Sequence, residues 1–127
     1  MNALYSVLDA DSIHADGCEL LASDARFHVD VETGLDEATL TARISDYDAL
    51  IVRSKTRVTR PVIAAGTRLR AIGRAGIGVD NIDVAAATER GIVVFNTPDA
   101  NATTTADLTL AHLLSLSRHL PQADRSL

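Results

Sequence analysis

The chain has 127 residues, a formal net charge of −5 and one cysteine, Cys18. Its eleven arginines and single lysine, Lys55, form no basic run, which argues against nucleic acid as a partner. A lone cysteine excludes an internal disulfide and suits a reducing cytoplasm, and no apolar run approaches the length that spans a membrane. Only four residues are Phe or Tyr and none is Trp, so the core must be built from Ala, Val, Ile and Leu. The length fits one domain or a piece of something larger.

Residues 3–8 read as a short apolar strand. Asp9-Ala10-Asp11-Ser12 is a turn that ends on a helix cap. Ile13, Gly17, Leu20 and Leu21 then fall on one helical face. Residues 26–31 alternate, with Phe27, Val29 and Val31 against His28 and Asp30, and predict a second strand. Thr33-Gly34 turns the chain, and Asp36 caps a helix with Leu40 and Ile44 on its inner side. Ala49-Leu50-Ile51-Val52 is a continuous apolar strand of the kind buried on both faces. Thr59 caps a short helix with Pro61 in its first turn and Gly66 at its end. Residues 69–73 form a fourth strand that runs into a glycine-rich loop. Asp83 caps a helix that Gly91 stops. Residues 92–95 are the fifth strand. Thr104 with Asp107 resembles a capping box for a helix to about His119. Leu110, Leu113, Leu114 and Leu120 lie on its apolar side. Residues 121–127 read as a frayed tail.

Strict alternation of strand and helix predicts an α/β fold with a parallel sheet and right-handed crossovers. Five strands with short loops point to a flavodoxin-like sheet of order 2-1-3-4-5 with helices on both faces. Ligands of such sheets sit at the carboxyl ends of the strands. Two arginines, Arg53 and Arg74, leave adjacent strands there, and a pair of guanidinium groups at one rim favours an anion.

The loop Gly73-Arg74-Ala75-Gly76-Ile77-Gly78-Val79-Asp80-Asn81-Ile82-Asp83 holds three of the seven glycines. It is not a dinucleotide fingerprint. Asn81 stands where the third glycine of G-x-G-x-x-G belongs, and the loop follows the fourth strand rather than the first. Asp9 and Asp11 would repel a flavin phosphate after strand 1. A phosphoacceptor receiver domain would need Asp after strand 3 and Lys after strand 5, where Arg53 and Asn96 stand. The two aspartates lack a third carboxylate for a metal and read as turn residues. His112 reads as a packing or interface residue and Cys18 as a helix-face residue.

Several stretches together resemble the D-2-hydroxyacid dehydrogenase family. They are Ile51-Val52-Arg53-Ser54, the glycine loop, Ala85-Ala86-Ala87-Thr88-Glu89-Arg90-Gly91-Ile92-Val93-Val94, Asn96-Thr97-Pro98 and Ala106-Asp107-Leu108-Thr109. The family usually carries Glu where this chain has Asp107. The resemblance implies a substrate domain over residues 1–98, a crossover helix over 99–120, and NAD as the cofactor of the parent enzyme. It implies that Arg53, Ser54, Arg74, Ala75, Gly76, Ile77 and Gly78 bind substrate. Arg74 in particular favours a phosphorylated 2-hydroxy acid. Ile77, Asn96, Thr97 and Pro98 would lie near the nicotinamide.

The family's dinucleotide fingerprint and its catalytic Arg, Glu and His are expected beyond Leu127. No catalytic residue, metal ligand or bound NAD is therefore expected in this chain, and the 127-residue chain alone is expected to be inactive. The crossover helix then either folds back over strand 5 as a fifth helix or exchanges with a second copy through residues 104–119. The alternative is a free-standing flavodoxin-like module that binds an anion or a protein partner without catalysis.

Overall fold

The computed structural model describes residues 5–99 and 102–126. Its strands are β1 (Tyr5–Asp9), β2 (Phe27–Val31), β3 (Ala49–Val52), β4 (Ala71–Arg74) and β5 (Val93–Asn96). Its helices are α1 (Ala15–Ala22), α2 (Glu37–Arg43), α3 (Arg60–Ala65), α4 (Val84–Glu89), α5 (Ala102–Ser117) and α6 (Leu120–Arg125), with a 3₁₀ turn over Ile44–Asp46. The strands form one parallel sheet in the order β2-β1-β3-β4-β5, as the alternation predicts. The expected residues 3 and 4 of the first strand lie outside the described residues.

Alternate strand residues point to opposite faces. On one face Leu8, Leu50, Val52 and Ile72 are fully buried beneath α2, α3 and α4, which supply Leu40, Val62, Ile63, Ala86 and Ala87. Burying one such Leu or Ile side chain is worth roughly 1.5–3 kcal/mol, and this layer contains most of the core. On the other face, the register sets Val29, Val7, Ala49, Ala71 and Val93 in one row. Val31, Asp9, Ile51, Gly73 and Phe95 make the next row. Helix α1 covers the β1 end of these rows, where Val7 and Asp9 are buried. The β5 end is open, with Val93 62% and Phe95 56% exposed. The apolar run of β3 is therefore buried on one face only, and Ala49 and Ile51 are half-buried.

Several caps behave as expected. Asp36 accepts from the Thr39 N–H at 2.8 Å, and Asp83 from the Ala86 N–H at 2.9 Å. Gly91 sits at φ +69°, the left-handed position that ends α4. Others differ. Ser12 does not cap α1 and instead has φ +55°. His14 is the N-cap, its Nδ1 accepting from the Asp16 N–H at 3.4 Å. With the helix starting later, Leu20 turns outward and is 74% exposed, while Leu21 stays half-buried. Thr59 is an N-cap by backbone alone, because its hydroxyl donates to Glu37 Oε1 at 2.9 Å. Gly66 ends α3 with a negative φ; a Cβ there would lie 2.9 Å from Leu69 Cβ.

The C-terminal segment departs most from expectation. Helix α5 begins at Ala102, so Thr104 and Asp107 lie inside it and form no capping box. It does not fold back over β5: it buries no residue, and Leu108, Leu110, Leu113, Leu114 and Leu116 are 58–67% exposed. At 100° per residue these leucines spread over more than half the helix circumference, so no single stripe exists to lay on the sheet. His119 takes a left-handed conformation (φ +53°) that ends the helix. The expected frayed tail is instead α6, with a proline in its first turn, where its missing N–H costs nothing. Among the described residues, no helix is long and apolar enough to cross a membrane.

Candidate functional site

Because every strand is parallel, β1, β3, β4 and β5 all deliver their exits to one edge. Val52 pairs with Arg74 and Arg74 with Asn96, so Arg53, Ala75 and Thr97 emerge side by side, with Arg74 one residue earlier. The Arg53 N–H donates to Asp11 Oδ2 at 2.7 Å. The Thr56 N–H donates to the same oxygen at 3.1 Å, and the Thr56 hydroxyl to Asp11 Oδ1 at 2.7 Å. Asn81 reaches in from the glycine loop. Its Nδ2 donates to the Arg53 carbonyl at 2.8 Å and to the Thr56 carbonyl at 2.7 Å. The Val58 N–H in turn donates to the Asn81 carbonyl at 2.8 Å, closing a one-residue parallel bridge between Val58 and Ile82.

The glycine loop is also tied to β5. Thr97 N–H donates to the Gly76 carbonyl at 3.0 Å, and Asn96 Nδ2 to the Ile77 carbonyl at 2.5 Å. Gly76 lies against the Arg74 guanidinium, which would have to swing aside for a Cβ there. Among the described residues, the Ile77 and Gly78 N–H groups donate to no protein acceptor.

A cavity of about 510 Å³ opens at this edge, lined by Ser12, Ile13, His14, Arg53, Ala75, Gly76 and Thr97. Four of the residues implied by the resemblance meet there: Arg53, Ala75, Gly76 and Thr97. Arg74 stands one strand over with its Nε 3.3 Å from the Arg53 carbonyl, and it does not line the cavity. Ser54 and Pro98 are exposed beside it. Ile77 faces a separate shallow depression shared with α5 residues Ala102, Thr105, Ala106, Thr109 and Leu110. The sequence reading missed Asp11 and Asn81 as holders of the β3 exit and His14 as part of the cavity wall. The only signals were an Asp in a turn and an Asn where a glycine was looked for.

The electrostatics favour an anion despite the acidic residues nearby. Burial pushes the Asp11 carboxyl up. The bonds it accepts from the Thr56 hydroxyl and from the N–H groups of Thr56, Arg53 and Lys55 more than offset this, so it stays ionised to lower pH than usual. Its oxygens face the donors of the bend, and it does not line the cavity. Asp9 is fully buried and accepts from the Ile13 and Asp11 N–H groups at 2.8 and 3.2 Å. Burial, with the Asp9 carboxylate 3.7 Å away, pushes the Cys18 thiol up, away from reactive thiolate chemistry. His112 is exposed on α5 rather than packed. Among the described residues no cluster of three or more His, Cys, Asp or Glu could hold a metal.

The residues here do not fit the pyrophosphate of a dinucleotide. The Asn81 side chain is committed to the β3 exit, and the Asp83 carboxylate occupies the start of α4, where a phosphate would have to sit.

Comparison with known proteins agrees with this geometry. Residues 6–119 match the family described as D-isomer specific 2-hydroxyacid dehydrogenase, catalytic domain, and the chain belongs to that family. Over 97% of its length it is 49% identical to D-3-phosphoglycerate dehydrogenase of Synechocystis sp., of which it spans only 22%. A solved protein from Thermus thermophilus superposes on 93% of the chain with a TM-score of 0.83 at 32% identity, the match covering 38% of that chain. The NAD+-bound 3-phosphoglycerate dehydrogenase of Entamoeba histolytica superposes on 89% of it with a TM-score of 0.77 at 28% identity, covering 39% of that chain.

A lowered carboxyl pKa contributes stability above the unfolded value, and this is lost as pH falls through the folded one. Asp11→Ala should therefore melt below the unsubstituted chain at pH 7, and the gap should shrink as pH falls below about 3.8. Thermal melts at pH 7 and pH 3 check this.

Proposed function

We propose that this chain is the substrate-binding portion of an NAD-dependent D-3-phosphoglycerate dehydrogenase. Such an enzyme oxidises 3-phospho-D-glycerate to 3-phosphohydroxypyruvate at the opening of serine synthesis. The observation that carries the reading is Arg53 on the wall of a cavity that Ala75 and Gly76 also line, with Arg74 Nε 3.3 Å from the Arg53 carbonyl. Arg53 and Arg74 hold the phosphate, as a guanidinium fork holds oxyanions, and Ser54 touches the substrate beside them. The Ile77 and Gly78 N–H groups receive the substrate carboxylate. Ile77, Asn96, Thr97 and Pro98 border the nicotinamide that a partner domain supplies. The name of the Synechocystis relative, at 49% identity, supports the substrate class.

Hydride transfer needs a bound nicotinamide and an acid–base group at the reacting carbon, and in this reading both come from the cofactor domain. The pure 127-residue chain, mixed with 3-phosphoglycerate and NAD, should give no NADH absorbance. Measurable reduction overturns the division of labour. Titration of 3-phosphoglycerate into the chain, followed by NMR shifts, should show binding in which Arg53→Ala and Arg74→Ala each lower affinity at least tenfold. Binding untouched by both substitutions overturns the site.

We also infer that α5 and the open β4–β5 face are interaction surfaces. In solution the isolated chain should cover its leucines with those of a second copy through residues 104–119. Size-exclusion chromatography with light scattering should return twice the chain mass; a monomer at high micromolar concentration rejects this.

A further inference from the structure

The bend over residues 53–56 is an unusual place to find a fixed geometry. Arg53, Ser54 and Lys55 are exposed, and Thr56 alone is buried. Yet two side chains from other loops hold four backbone groups of this bend, and Arg74 Nε adds a longer contact of 3.3 Å to the Arg53 carbonyl. Asp11, from the β1 exit, takes the N–H groups of Arg53 and Thr56. Asn81, from the glycine loop, gives its amide protons to the carbonyls of the same two residues. Each end of the bend is thus gripped by its N–H on one side and its C=O on the other.

The residue types follow from the task. Two N–H groups and a hydroxyl need an acceptor with two oxygens, which a carboxylate supplies. Two carbonyls need two donors on one atom, which an amide supplies and a carboxylate cannot. The Asn81 orientation is forced, because a flipped amide would set its oxygen against both carbonyls. Among the described residues, Asn81 Oδ1 is buried with no protein partner, as this orientation of the amide requires.

We propose that Asp11 and Asn81 are positioning residues that clamp residues 53–56 from both sides, fixing the direction from which the Arg53 guanidinium meets an anion in the cavity. The clamp fixes φ and ψ of Arg53 before any ligand arrives, so binding does not have to order the loop. It also resolves the presence of an aspartate beside an anion site. The Asp11 carboxylate turns its oxygens to donors of the bend and does not line the cavity, and the second holder is a neutral amide rather than another acid.

This inference rests on reading Arg53 as the anion hook, and the experiment separates the two. Affinity for 3-phosphoglycerate is measured by NMR titration to tens of millimolar for the unsubstituted chain, Asn81→Asp, Arg53→Ala and the double variant. Asn81→Asp is expected to weaken binding at least tenfold in the parent and less than twofold in the Arg53→Ala background, because it acts through Arg53. Retained affinity in Asn81→Asp, or an equal loss in both backgrounds, overturns the clamp while leaving the anion site intact. If Asn81→Asp does not fold by circular dichroism, Asp11→Asn carries the same cycle. If the unsubstituted chain binds nothing, the anion site falls. The clamp is then judged by hydrogen exchange: at least tenfold faster exchange of the Arg53 and Thr56 amides in Asn81→Asp supports it, and unchanged rates overturn it.

Discussion

All five strands run in the same direction, and this constraint governs everything else in the molecule. It gathers the five strand exits at one edge and makes each helical crossover return the chain along a face of the sheet to the other. The loops at that edge have no sheet partners of their own, so their backbone groups must be satisfied by side chains or by each other. The chain does this by lending residues from one loop to the next: Asp11 to the β3 exit, Asn81 to the same bend, and Asn96 to the glycine loop. The result is a rigid polar rim above an apolar sheet, on which one arginine faces a cavity.

Much of this architecture was legible in the residues. Continuous apolar runs at Leu50 and Ile72, separated by capped helical stretches, announce buried parallel strands. Asp36, Asp83 and Gly91 mark helix ends by chemistry that needs no tertiary context. The failures have a common cause. Ser12 looked like a cap because caps are local, but the buried Asp9 carboxylate takes the Ile13 N–H and pushes the helix start to His14. Thr59 lost its cap bond to a distant Glu37.

The candidate site divides in the same way. Arg53 and Arg74 were visible as charges at the ends of adjacent predicted strands, and the register sets them one residue apart. Asn81 was visible only as a glycine that was not there, since its role exists in the distance between two loops. The fold-back of α5 was expected from its leucines, but counting apolar residues does not reveal how they are spread around the axis. A helix that is apolar around most of its circumference asks to be surrounded rather than laid on a sheet.

One small feature has a wider meaning for how this domain could be improved or damaged. Ser12 holds a left-handed backbone at the lip of the cavity, a conformation that costs a side-chain-bearing residue about 1–2 kcal/mol. A search for stabilising substitutions would arrive at this position early, because glycine or asparagine relieves the strain. The same change would alter a side chain that lines the same cavity as Arg53, so backbone ease and the chemistry of the cavity wall are set by a single residue.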